Sequence, residues 1–300
     1  MQKHAHHPEE LSMITCSYAP DFNRCERLCR SVDRWVSGDI THWLVVPARD
    51  LSRFRKLSNG RRNIVAVEDI VPGSFKQLPR SHRWWLDRRA WPVRGWVMQQ
   101  VTKLSANAVT SAEFIIFADS DLQFVRPFSR DHVVDHDQLR LHRIAGAKNS
   151  GEHLSWHHKA ADLLGTRRQY FGHDYIGQLI TWRRSHLEGL QKHLEDTHSR
   201  PWYQGVARAL KVSEYILYGA YIDAVVGIDN SGHFSCDEDL AHCCWFREEA
   251  DALAGGSYPL SAGAVAVLLQ SNLGLSDQDE QRIVRDLTAS SLSPVEGLAL

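Results

Sequence analysis

Apolar residues in the first half of the chain come in short, nearly continuous runs. "SMITCSY" (12–18), "HWLVVPA" (42–48), "NIVAVED" (63–69) and "EFIIFAD" (113–119) are each bounded by polar or turn-forming residues, which predicts buried strands. Between them the spacing changes. Apolar positions over 22–36 recur with the helical period, behind Asp21 as a candidate cap, and 95–108 reads as another helix. Strands alternating with helices predict an α/β fold, a Rossmann-like and mostly parallel central sheet flanked by helices. The second half is less regular. Strands are expected at 139–146, 223–228 and 263–270, and helices at 152–164, 184–196 and 276–287, the last capped by Ser276. No repeat, low-complexity stretch or linker divides the chain, so 1–300 is expected to form a single domain.

Composition narrows the class. The chain has 300 residues, 43% apolar and 24% charged, which suits a soluble globular protein with ample core. The net charge of −1 argues against a dedicated nucleic-acid binder. No apolar run is long enough to span a bilayer. "MQKHAHHPEELSM" lacks the apolar core of a signal peptide, so a cytoplasmic location is expected. His4, His6 and His7 read as a solvated terminus. Of six cysteines, Cys25 and Cys29 share a helix face with Phe22, Val32 and Val36 and read as small core residues. A zinc site joining them to Cys243 and Cys244 is the alternative, without a usual zinc spacing.

The chemistry begins at "FIIFADSDLQF" (114–124). An apolar run ends on Asp119-Ser120-Asp121. In open α/β sheets ligands bind beyond the carboxyl ends of the strands. In extended backbone Asp119 and Asp121 would point to one side and Ser120 to the other. Two carboxylates on one side make a hard oxygen site suited to Mg²⁺ or Mn²⁺. A plain turn explains the same residue types.

An apolar strand ending in DxD, about a hundred residues into an α/β chain, resembles GT-A-fold glycosyltransferases. "GWVMQQVTKL" (95–104), "FADSDLQFVRPF" (117–128), "YIGQLITWRR" (175–184) and "SEYILYGAY" (213–221) together resemble an uncharacterised bacterial family of glycosyltransferase-like proteins with a domain-of-unknown-function label. The resemblance spans about 12–275. It implies a GT-A-like domain with a nucleotide-binding half (about 12–120), an acceptor half (about 121–275) and a C-terminal helix and tail (276–300). It also implies a metal-dependent transferase moving a sugar from a nucleotide-sugar donor, such as a UDP-sugar, to a glycan, lipid or small-molecule acceptor. Asp119 and Asp121 would hold Mn²⁺ or Mg²⁺ against the donor diphosphate, with Ser120 beside them. Such enzymes often add a late histidine ligand. "LLQSNLGL" (268–275) has none, and Ser271 and Asn272 stand in its place; His233 and His242 are alternatives. The end of the first strand would meet the nucleotide, through Thr15, Ser17 and Asp21.

Other stretches each carry two readings. Gln100 and Lys103 suit phosphate or sugar hydroxyls, or a solvated helix face. Glu214 suits a catalytic base for an inverting transfer, or a favourable charge in the first turn of a helix capped by Ser213. Asp174, beside His173, is a second candidate base, or a turn residue. Trp96, Trp182, Tyr218 and Tyr221 are candidate sugar-contacting residues, and the larger aromatics are equally suited to a core. "SHRWWLDRRAWPVRGW" (81–96) holds four of the ten tryptophans among arginines. It suits sugar stacking in a structured loop near the site, or a membrane-surface patch, so a location peripheral to the inner face of a membrane is allowed. Two other function classes compete: a haloacid-dehalogenase-type phosphohydrolase with Asp119 as nucleophile, and a non-catalytic carbohydrate-binding protein on a transferase fold. Against the first, that motif usually lies on the first strand, near the N-terminus.

Overall fold

The structure is a computed structural model that describes residues 10–73, 75–79, 81–87, 92–255, 260–270 and 273–292. Its centre is a five-stranded sheet. The strands are β1 (Leu11–Cys16), β2 (Thr41–Val46), β3 (Arg62–Ala66), β4 (Phe114–Phe117) and β5 (Ile180–Arg183), in the order β5-β4-β1-β2-β3. β1, β2, β3 and β4 run parallel, and β5 pairs antiparallel with β4. The helices named here are α1 (Phe22–Trp35), α2 (Gly95–Lys103), α3 (Gly151–Leu164), α4 (Arg184–His198), α5 (Glu214–Tyr221) and α6 (Asp277–Leu292).

The continuous "FIIF" of β4 is buried on both faces, as a central parallel strand requires. Ile115 and Phe117 enter the core under α2 to α5, and Phe114 and Ile116 enter the core under α1. Beyond β4 the chain turns into the strand Leu122–Phe124. That strand pairs with Ala266–Leu269, which in turn pairs with Ala241–Cys244. The Trp- and Arg-rich stretch forms a three-stranded antiparallel ribbon from Lys76–Gln77, Trp84–Leu86 and Val93–Arg94. α6 docks on α1 through charge pairs, of which Arg27 and Glu280 are buried. Arg27 pairs with Glu280 at 2.5 Å and Asp277 at 3.3 Å, and Arg24 with Glu280 at 3.4 Å.

Several expectations shift. The strand expected at 223–228 is helical: α5 runs on into a wide π-turn over Ile222–Val226. Gly227, with φ of 81°, closes it by donating its amide to the Ile222 carbonyl. Apolar residues following a helix without a breaker simply extended it. The helix expected over 95–108 ends at Lys103, and the strand expected over 139–146 breaks at Arg143. Asp21 precedes α1 without a side-chain cap bond, whereas Ser276 Oγ does accept the Asp279 amide at 3.1 Å. Cys25 and Cys29 pack with Leu44, Val46 and Phe54, while Cys244 sits in another core with Val125 and Leu253. These cysteines do not converge, which overturns the zinc alternative.

Candidate active site

The carboxyl ends of β1 to β4 open into a cavity of about 820 Å³. Its floor is formed by residues just past those ends: Ser17 and Asp21 after β1, Pro47 after β2, Val67 after β3, and Asp119 to Asp121 after β4. Parallel strands place their C-terminal loops together at one edge, so four separated stretches of sequence converge there. The ribbon and the start of α2 supply the opposite wall, with Trp84, Arg94 and Trp96.

The two aspartates meet the cavity for a reason other than strand alternation. β4 ends at Phe117, and the Leu122 amide donates to the Asp119 carbonyl at 3.1 Å, closing a turn. The turn brings Asp119, Ser120 and Asp121 all onto the wall.

Asp119 is held from both sides. Lys103 Nζ donates to its Oδ1 at 3.2 Å, and Gln178 Nε2 donates to its Oδ2 at 3.1 Å. Lys103 also reaches Tyr215 Oη at 2.7 Å and Glu214 Oε1 at 3.1 Å. Burial opposes the charges of Asp119 and Lys103. Their mutual attraction wins, keeping the Asp119 carboxyl below its ordinary range and the Lys103 ammonium well above its own. Asp121 differs. Burial, and then the Asp119 carboxylate, push it up to about 7. Arg24 favours its charged form but is paired elsewhere, with Glu280 at 3.4 Å and Asp21 at 4.0 Å.

A divalent cation fits this donor set. Asp119 and Glu214 share the Lys103 ammonium, and Asp121, one residue beyond Ser120, has no ion-pair partner among the described residues. Added positive charge would offset what burial and Asp119 impose on Asp121. No group of three potential His, Cys, Asp or Glu ligands occurs among the described residues. Water and substrate oxygens would fill the remaining positions, as is usual for Mg²⁺. Asn272 and Ser271 lie outside the described residues. His233 is buried against Tyr218, and His242 stands opposite Val267 in a strand pair.

Of the other expected residues, Ser17, Ser120 and Trp96 line the cavity, with Trp96 45% exposed. Thr15 is buried, its hydroxyl 3.1 Å from His42 Nε2. Gln100 turns inward: its Oε1 accepts the Glu214 amide and its Nε2 donates to the Trp96 carbonyl. Glu214 is buried on Lys103, off the cavity wall. Asp174 is buried with Oδ1 3.8 Å from His153 Nδ1, also off the wall. Trp182 and Tyr218 are fully buried and stacked on each other at 4.8 Å, and the Tyr218 hydroxyl accepts the Arg183 amide. Their rings are spent on packing.

Sequence reasoning missed Gln178, His142 and Asp239. Gln178 sits next to Gly177, where an added Cβ would lie 3.0 Å from Asp239 Oδ1 and 3.1 Å from His142 Nε2. His142 is 2% exposed, yet neither ring nitrogen has a hydrogen bond, and burial holds its pKa down. The glycine in "YIGQL" was the only local signal.

A family profile described as "Family of unknown function (DUF6492)" matches residues 11–292. The chain belongs to DUF6492. No curated protein matches it. Among solved structures it is similar to the galactosyltransferase LgtC in complex with donor and acceptor sugar analogs. Identity is 8% and the TM-score 0.47, over 95% of this chain and 98% of that one.

Proposed function

We propose that the protein is a glycosyltransferase that moves a sugar from a nucleotide-sugar donor, a UDP-sugar, to an acceptor hydroxyl with the help of Mn²⁺ or Mg²⁺. The observation that carries this reading is the unpaired Asp121 beside a fixed Asp119, at the ligand edge of a parallel sheet. Asp121 and Asp119 would hold the cation, which would supply Lewis-acid charge to a leaving diphosphate. Lys103 and Gln178 keep the Asp119 carboxylate in one orientation. Glu214 balances Lys103 and acts on Asp119 through it. Ser17, Ser120, Trp84 and Trp96 line the cavity; the serines would take the nucleotide and the indole rings would stack against base or sugar. Asp239 beside His142 is the carboxylate proposed to accept a proton from the acceptor, since Asp174 is buried off the cavity wall. A phosphohydrolase with Asp119 as nucleophile is disfavoured, because Asp119 follows β4 and not the first strand of the sheet.

Calorimetry with UDP and Mn²⁺ tests the reading. Binding should require the metal and weaken by about tenfold or more in Asp121→Asn. Absence of binding to any nucleoside diphosphate with Mn²⁺, or equal binding by the variant, would sink it.

A further inference from the structure

The ribbon at the cavity mouth has two unlike faces. Residues opposite one another across an antiparallel pair share a face, and successive residues alternate. Trp85 stands opposite Val93, and these two form the inner face, 3% and 2% exposed. Trp84 stands opposite Arg94, and Leu86 opposite Lys76, which makes the outer face. All four outer residues are exposed. The Arg94 guanidinium is 5.8 Å from the centre of the Trp84 ring. Arg83, also exposed, adds a further cation beside Trp84. These outer positions hold no carboxylate.

Seven large apolar side chains are exposed among the described residues, and three of them are Trp84, Leu86 and Trp96. Such clustering marks an interaction site, not scattered surface residues. The cavity accounts for only part of it. Trp84, Arg94 and Trp96 line the cavity, whereas Leu86 and Lys76 lie outside it. A ligand in the cavity explains the first group and leaves the second without a role. The partner has to extend past the mouth, accept indole and leucine side chains, and carry negative charge.

We propose that this outer face docks the protein on an anionic lipid bilayer, with the cavity mouth turned towards the headgroups. Tryptophan rings favour the headgroup level, and each nearby lysine or arginine gains from anionic lipid. A peripheral surface of this kind needs no spanning helix, and none of the described helices is long and apolar enough to cross a membrane. The docking does not depend on the sugar-transfer reading.

Co-sedimentation of the full chain with phosphatidylcholine vesicles, with and without phosphatidylglycerol, decides it. The chain should pellet with the anionic vesicles at low salt and be released as salt rises. Combined Lys76→Glu and Leu86→Glu substitutions, both outside the cavity, should lower the bound fraction about tenfold at an unchanged melting temperature. Wild-type protein left in the supernatant at low salt overturns the proposal, as does equal binding by the double variant. A dimer in size-exclusion chromatography that the double variant abolishes, without vesicle binding, assigns the face to a second copy instead. UDP calorimetry on the same variant separates loss of docking from loss of the cavity.

Discussion

The floor and the mouth of the cavity use the same side-chain types in opposite ways. Beneath the floor, Lys103, Glu214 and Tyr215 are packed under Asp119, and the lysine is engaged by every one of the others. At the mouth, Arg94, Lys76 and Trp84 lie open to solvent. Burial separates the two roles. A buried cation must be neutralised in place, so it fixes its neighbours and has nothing left for a ligand. An exposed cation beside an aromatic ring keeps both for a partner. Residue type alone therefore says little about role until burial is known.

The largest test of this division is Lys103→Met. It leaves Asp119 and Glu214 without their shared cation, and a loss of about 3–5 kcal/mol is expected from urea denaturation. Adding Glu214→Gln should recover part of it. If the two losses simply add, the floor is not a coupled unit. The adjacent tryptophans sharpen the contrast at the mouth. Trp85→Ala, on the buried face, should cost about 3–5 kcal/mol, whereas Trp84→Ala should stay within about 0.5 kcal/mol. Similar losses at both positions would erase the distinction between the faces.

The smallest effect concerns Asp121. Its native pKa of about 7 lies above the ordinary 3.8, so the folded protein holds this proton more tightly than the unfolded chain does. The stabilising contribution is complete below about pH 4 and is lost as pH rises through about 7. Metal-free wild type should therefore lose about 1–2 kcal/mol relative to Asp121→Asn between pH 4 and 8, a figure reduced for solvent screening of a half-buried group. Paired thermal melts across that range read it. A constant difference between the two proteins would mean that Asp121 titrates normally.

The strands of the parallel sheet were legible because buried strands advertise themselves as short apolar runs, and the observed ends fall close to the expected ones. "DAVVGI" was not legible, because a buried strand and the buried end of a helix share a composition. The position of Asp119 and Asp121 at the ligand edge was legible from their place after the apolar run, but a turn, not alternation, brings them to the cavity wall. Lys103, Asp119 and Glu214 were each noticed, and their pairing was not, since Glu214 is more than a hundred positions from Lys103. Gln178, His142 and Asp239 meet only through tertiary folding. Trp182 and Tyr218 show the reverse error, in which aromatic residues near a site were credited to it although the core had claimed them.

The buried pairing of Arg27 with Glu280 also bears on the order in which the protein is made. α1 follows Asp21 at the edge of the cavity floor, and the carboxylate partners of its Arg27 guanidinium arrive about 250 residues later. Until α6 has left the ribosome, Arg27 faces either solvent or an unneutralised burial. α1, which follows the cavity-floor residue Asp21, therefore gains its buried counter-charge only after a segment about 250 residues further along the chain has been made.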